Sequence, residues 1–356
     1  MSLRGCSWEA FHERGLVDKS AVLMEDVRPL HVLFAQQFDR KAMEHICALA
    51  TEVRQVAKDH DGRLFLRSLL LGRRAMLYFS QPSTRTFLSF TSACQILGLD
   101  TGEVRDPSIS SEIKGETRED SVRTFSSYFD LIIMRTKERG LAERTAWMLA
   151  QSDRSIPIIN AGSGADQHPS QALLDIYTIQ RSFEHRGGID GKTVVFVGDL
   201  ARGRTVRSLA WLLTSYRDVR MVFVAPDAFQ ISADIRSLMD EAGIAYTVSS
   251  EFRTHLPEAD ALYMTRVQDE WDAEGESADI DVSDYCLQSS DLDMLKPDAI
   301  IMHPLPRREE VPVEIDADPR AMYWRQMRNG MWVRTALIAT MFEVDDAIRE
   351  YRASRA

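Results

Sequence analysis

The chain has 356 residues, 44% hydrophobic and 27% charged, so it can bury an ample core and has the length of two ordinary domains. Its formal charge is −11 and its pI about 5.3, which argues against a nucleic-acid backbone or an anionic membrane as partner of the whole surface, and an anionic ligand must be met by a local cluster of cations. No uninterrupted apolar run approaches the roughly 18 residues that span a bilayer, and four scattered cysteines (Cys6, Cys47, Cys94, Cys286) without CxxC spacing fit reduced thiols of a cytoplasmic protein rather than a zinc knuckle or a disulfide framework.

The opening MSLRGCSWEAFHERGLVDK carries acids and no apolar stretch, unlike a secretory signal. DRKAMEHICALATEVRQVAKD (39–59) has helical spacing, and after it short apolar runs alternate with helical ones. The predicted strands are AMLYF (75–79), DLIIMR (130–135), IPIIN (156–160), TVVFVGD (193–199), MVFVAP (221–226), ALYMTR (261–266) and AIIMHP (299–304). Between them lie helical stretches such as SQALLDIYTIQRSFEHR (170–186) and TVRSLAWLLTSY (205–216). Such alternation predicts an α/β fold of doubly wound parallel sheets. The glycine-rich HRGGIDGK (185–192) is the natural domain boundary, and the acidic, aperiodic DEWDAEGESADIDVSD (269–284) reads as a solvated loop.

Nearly every unusual polar cluster follows a predicted strand. SQPSTRT comes after AMLYF, RTKERG after DLIIM, NAGSGADQHPSQ after IPII, DLARGRT after VVFVG, TRVQDE after ALYM and HPLPRREE after AIIM. Open parallel sheets bind ligands beyond the carboxyl ends of their strands, so six such loops suggest one site in a cleft between two domains.

A strand that ends in Ser83-Thr84-Arg85-Thr86 and passes into a helix offers backbone N–H groups, hydroxyls and a fixed charge, a set suited to phosphate. An ordinary helix cap would use the same residues. Arg135, Arg204 and Arg266 stand at or just past strand ends. Singly each reads as a solvated or ion-paired surface residue; three in an acidic protein favour a ligand with more than one anionic group. Gln268 shares the side of Arg266 if the strand continues. His168 opens a helix, as a capping or core histidine often does, yet a neutral imidazole there can also donate to a carbonyl oxygen gaining charge; Gln171 lies one turn on. VGDLARGRT lacks the GxGxxG spacing of a dinucleotide loop, and no HExxH or GxSxG stands in the chain.

Taken in order, SQPSTRT, SSEIKGET, MRTK, HPSQALLDIYTI, GDLARGRTVRSL, LYMTRVQ, MHPLPR and NGMWVRTALIA resemble the motifs of the aspartate carbamoyltransferases, the catalytic chains of aspartate transcarbamylases, from about His31 to Met341. The resemblance implies a carbamoyl-phosphate domain over 30–184, completed by a C-terminal helix over 329–350, and an aspartate domain over 185–328, with the active site in the cleft between them. It implies transfer of the carbamoyl group to the α-amino group of aspartate, the second step of de novo pyrimidine synthesis, without metal or organic cofactor. By the same resemblance Ser83, Thr84, Arg85 and Thr86 hold the phosphate, Arg135 contacts both the phosphate and the carbonyl oxygen, and Thr86 and His168 complete the carbonyl contacts. Gln171 and the backbone of Leu305 and Pro306, joined by a bond that can be cis, position the carbamoyl NH2; Arg204, Arg266 and Gln268 grip the aspartate carboxylates. Ser110 and Lys114 reach into a neighbouring subunit's site, Lys114 contacting both substrates, which makes a homotrimer the minimal active unit, with regulatory or other subunits as further partners.

Ornithine carbamoyltransferases share STRT and HPxQ but carry HCLP and SMG, where this chain has His303-Pro304-Leu305-Pro306 and no SMG. Two departures stand out. Gln81 replaces a Glu that ion-pairs on domain closure in the best-known members, and Trp271 replaces one of its Arg partners, so the resemblance does not carry that contact over. Residues 1–29 precede the family's usual start and are expected to be a flexible tail, with a docking element for another subunit as the alternative. The competing functions are a carbamoyltransferase for another amino acid and a catalytically silent homologue that serves as an assembly partner; the silent homologue predicts lost site residues, and Arg85, Lys114, Arg135, His168, Arg204, Arg266 and Gln268 are all present.

Overall fold

The computed structural model describes residues 3–106, 114–164, 167–268 and 281–355. The backbone divides into two compact units, residues 1–173 with 330–356, and residues 174–329.

The first unit begins with α1 (Trp8–His12), α2 (Leu16–Leu23) and an antiparallel pair of two-residue strands, β1 (Met24–Glu25) and β2 (Arg28–Pro29). In α3 (Arg40–Val56) the Asp39 carboxylate caps the start by accepting from Ala42 N–H at 2.8 Å, and Met43, Ile46, Cys47, Ala50 and Val53 form the buried stripe that helical spacing demands. After α4 (His60–Ser68) come β3 (Arg74–Phe79), α5 (Thr84–Leu97), β4 (Asp100–Val104), α6 (Arg118–Tyr128), β5 (Leu131–Thr136), α7 (Leu141–Ala150) and β6 (Ile158–Ser163). The four strands make a parallel sheet in the order β4-β3-β5-β6. Strands β3 and β5 are covered on both faces, which is why they are unbroken apolar runs. Edge strand β4, DTGEV, has no apolar alternation, so the sequence pattern does not predict it. Its Gly102 is required by space, because a Cβ there would lie 2.5 Å from the Phe129 ring.

Helix α8 (Pro169–Ser182) runs past the division after Leu173 into the second unit. There β7 (Thr193–Val197), α9 (Arg204–Leu213), β8 (Arg220–Val224), α10 (Ala233–Glu241), β9 (Tyr246–Ser249), β10 (Ala261–Met264) and β11 (Ile300–Met302) follow. The sheet is again wholly parallel, in the order β11-β10-β7-β8-β9. Its core packs Val195, Val222, Leu262 and Ile301 against Leu256 and Tyr323. Helix α11 (Tyr323–Met341) leaves this unit after Asn329, and α12 (Asp345–Ala353) packs on α3, with Arg352 Nε donating to Gln55 Oε1 at 2.8 Å. Among the described residues no helix is long and apolar enough to cross a membrane.

The backbone units divide inside α8, after Leu173, and the glycine-rich turn at 185–192 delivers the chain from α8 into β7. One expectation is corrected here: residues 3–29 are no loose tail. Phe11 and Leu23 are fully buried in the first unit's core, Trp147 Nε1 donates to Cys6 O at 2.8 Å, and Gln151 bonds both Gly5 N–H and Leu3 O. Lys19 pairs with Glu143 at 2.6 Å, both nearly buried.

In each sheet the chain reverses its direction of winding once, between β3 and β5 in the first and between β7 and β10 in the second. Crevices at such reversals are where open sheets bind ligands. The loops that flank them are SQPSTRT and RTKERG in the first unit, and GDLARGRT and TRVQ in the second.

Candidate active site

In the first unit the carboxyl ends of three strands lie side by side. Phe79 is in register with Arg135, Gln81 N–H donates to Arg135 O at 3.2 Å, and Gly164 N–H donates to Thr136 O at 3.0 Å. Ser83 takes the N-cap position of α5 with extended backbone, yet its side chain makes no capping bond. The first helical bond runs from Phe87 N–H to Ser83 O at 3.1 Å, so helix geometry gives Thr84, Arg85 and Thr86 N–H no intrahelical acceptor. Three amide donors, three hydroxyls and a guanidinium therefore gather at the positive end of the helix dipole. The cap reading left open above does not describe Ser83.

Arg135 is nine-tenths buried and is held by Nη1, which donates to Ala161 O at 3.2 Å at the neighbouring strand end. His168 is buried directly before α8, and its carbonyl accepts Gln171 N–H at 2.9 Å and Ala172 N–H at 3.2 Å as the helix begins. Gln171 is half-buried one turn on. The first unit thus brings Ser83 to Thr86, Arg135, His168 and Gln171 to one edge of its sheet.

Lys114 is exposed; Ser110 and Trp271 lie outside the described residues. Four charges that the sequence reading missed anchor the segment leading from Lys114. Arg118 pairs with Glu138 at 2.6 Å, and Arg144 pairs with Glu138 and Glu119 at 2.5 Å each. Hydrogen bonds from Arg144, the largest influence, and then from Arg118 hold the Glu138 carboxyl below its usual range against partial desolvation. Glu138 stands three residues beyond Arg135, so this cluster ties the base of the Lys114 segment to the loop after β5.

In the second unit Gly198 ends β7 at φ +114°, and a Cβ there would meet Thr265 O at 2.1 Å. That close approach puts the β7 and β10 loops in contact. Asp199, fully buried, then joins them, its Oδ1 accepting Arg202 N–H at 3.1 Å and its Oδ2 accepting Gln268 N–H at 3.0 Å. Burial raises the Asp199 carboxyl above its ordinary value, and the two N–H bonds with the charges of Arg202 and Arg266 oppose that rise. Arg204 opens α9, and Arg266 donates Nη1 to Val267 O at 2.8 Å. Arg204, Arg266 and Gln268 accordingly lie on the segments that follow the adjacent strands β7 and β10. Asp199 was missed, although an acid directly after a strand-ending glycine is a readable signal.

After β11 the peptide Leu305-Pro306 is cis, as expected, and Leu305 holds φ +57°. His303 Nδ1 accepts Leu305 N–H at 2.7 Å, and its Nε2 lies 2.8 Å from Glu310 Oε1. A cavity of about 700 Å³ opens at these strand ends, lined by Gly198, Thr265, Val267, Arg308 and Glu310 among others.

Comparison with known proteins divides the chain between residues 181 and 190, at the glycine-rich turn. The carbamoyl-P binding domain of the aspartate/ornithine carbamoyltransferases matches residues 30–181, and their Asp/Orn binding domain matches residues 190–341. Aspartate carbamoyltransferase, chloroplastic, from Oryza sativa subsp. japonica is 42% identical over 314 residues, 86% of this chain and 83% of that protein. The aspartate carbamoyltransferase catalytic subunit of Chromobacterium violaceum is 38% identical over 309 residues, 87% of this chain and 96% of that one. The crystal structure of aspartate transcarbamoylase from Trypanosoma cruzi in complex with carbamoyl phosphate and aspartate has TM-score 0.78 and 34% identity, covering 88% of this chain and 96% of that chain.

Proposed function

The chain belongs to the aspartate/ornithine carbamoyltransferase family, and within it we propose that this protein transfers the carbamoyl group of carbamoyl phosphate to the α-amino group of L-aspartate, releasing N-carbamoyl-L-aspartate and phosphate. The observation that carries the reading is the pairing of two anion-holding sets, each at the winding reversal of its own sheet: Ser83 to Thr86 with Arg135 in the first unit, Arg204 with Arg266 in the second.

In this reading the phosphate is held by Ser83, Thr84, Arg85 and Thr86, whose N–H groups and hydroxyls suit a tetrahedral anion. Thr86, Arg135 and His168 donate to the carbonyl oxygen. Gln171 and the carbonyls of Leu305 and Pro306 accept from the carbamoyl NH2. Arg204, Arg266 and Gln268 hold the α- and β-carboxylates of aspartate. The amine lone pair attacks the carbamoyl carbon, negative charge grows on the carbonyl oxygen where the three donors stabilise it, and the C–O bond to phosphate then breaks. Phosphate leaves with the bond's electron pair, its charge met by Arg85 and Lys114, and the proton of the attacking amine passes to the departing phosphate or to solvent. Holding two anions in attack geometry is the larger part of the task. Two guanidiniums favour a dicarboxylate acceptor and repel the cationic side chain of ornithine.

We extend the proposal to a homotrimer in which Ser110 and Lys114 complete a neighbour's site. The test of the central reading is product analysis with purified protein, carbamoyl phosphate and either aspartate or ornithine: carbamoylaspartate must form, and no turnover with aspartate would sink the reading.

A further inference from the structure

Leu305 and Pro306 have a task in the proposed reaction, and Leu305 performs it at a left-handed φ that a residue with a Cβ adopts only when its surroundings impose it. A buried chain of hydrogen bonds supplies that constraint. Asp175 on α8 has no exposed surface; its Oδ2 accepts from Tyr263 OH at 2.8 Å and its Oδ1 from Gln326 Nε2 at 2.7 Å. Gln326, also buried, presents Oε1 to His303 N–H at 2.9 Å. His303, buried in turn, accepts Leu305 N–H on Nδ1, so its proton sits on Nε2 and is donated to Glu310. Despite the burial that works against ionisation, that bond leaves the Glu310 carboxyl below its usual range.

Each link dictates the next. A carboxylate only accepts, so Gln326 must turn its NH2 to Asp175; its oxygen then faces His303 N–H, which only donates. Neither end tolerates the flipped amide. We propose that Gln326, oriented by Asp175, is a positioning residue that sets the backbone of residues 303–306 and thereby the recognition of the carbamoyl NH2. Tyr263 anchors the same carboxylate three residues before Arg266, so one buried acid holds both the loop after β11 and the strand that leads to the acceptor-binding arginine. The inference rests on the carbamoyl-transfer reading of this site.

The test compares two ligands of the full-length protein, carbamoyl phosphate and inorganic phosphate, by direct binding. Inorganic phosphate engages the α5 cradle alone; only carbamoyl phosphate brings an NH2 to the 303–306 loop. Gln326→Leu should weaken carbamoyl phosphate about tenfold and leave phosphate within about twofold. An equal loss for both ligands, or no change in either, overturns the proposal. Arg85→Ala is the control on the parent reading, since it should weaken both; if it weakens neither, the cradle assignment fails instead. Should Gln326→Leu not fold, Gln326→Glu is near-isosteric. Its uncharged carboxyl can donate to Asp175 and accept from His303, whereas its carboxylate faces Asp175 with like charge, in a pocket that also holds Tyr263 and the His303–Glu310 pair. For that variant the carbamoyl phosphate affinity relative to the unmutated chain should fall as pH rises while the phosphate ratio stays level. Level ratios for both would equally overturn it.

Discussion

At Ser83 a side chain stands where a helix cap belongs and does not cap. A capping serine replaced by alanine costs about 1 kcal/mol. Ser83→Ala should therefore shift urea-unfolding stability by less than about 0.5 kcal/mol while kcat/KM for carbamoyl phosphate falls about 10- to 100-fold, one lost hydrogen bond to a charged group. The reverse pattern, stability lost and rate kept, would return Ser83 to a structural role. Arg204→Leu should raise KM for aspartate about 10- to 100-fold and leave phosphate binding unaltered, because the guanidinium meets only the acceptor in this reading; saturation kinetics decide it. The strand-end arginines and the STRT run were legible because they recur at one topological position, directly beyond apolar strands, where open sheets bind ligands. The partners of Asp199 and Glu138 were not, because they are distant in sequence: an acid after Gly198 marks a position, but neither Gln268 N–H for Asp199 nor Arg118 for Glu138 can be paired with it from local pattern.

Helices and strands with long apolar runs were equally legible, and the N-terminal segment was not. Helix α1 has five residues, too few to carry a pattern, and what fixes it is Trp147, 141 positions from its partner Cys6. Docking also buries the Lys19–Glu143 pair at 2.6 Å. Lys19→Ala strands the Glu143 charge and should cost about 3 kcal/mol in chemical denaturation, while Lys19→Met combined with Glu143→Leu should be nearly neutral. Full stability in the single variant would mean that the segment detaches in solution. Near the other end, hydrogen bonding from Arg307 above all, and from Tyr323, holds the Asp316 carboxyl at about 2 against a usual 3.8. Since the folded value is depressed, this clamp contributes stability above pH 3.8 that is lost as pH falls towards 2. Unfolding midpoints at pH 5 and pH 3 should converge in Asp316→Asn relative to the unmutated protein; an unchanged pH dependence would remove Asp316 from the acid transition.

For the whole molecule, two parallel sheets of the same handed logic each reverse their winding once, and both reversals carry the cationic loops. Sequence order alone suggested the strand-end rule; strand order, which no local pattern encodes, explains why these loops and not those after β8 or β9 carry the charge. The homotrimer proposal belongs to this scale too: mixing inactive Arg85→Ala and Lys114→Ala chains after dissociation should regenerate activity if sites are shared, and should not if each chain is self-sufficient. The central claim is transfer to aspartate, and the most direct measurement follows carbon-labelled carbamoyl phosphate by NMR with aspartate and ornithine present together. The account predicts label in N-carbamoylaspartate alone, and none there with Arg85→Ala; label in carbamoylated ornithine, or no aspartate product from the unmutated chain, would contradict it.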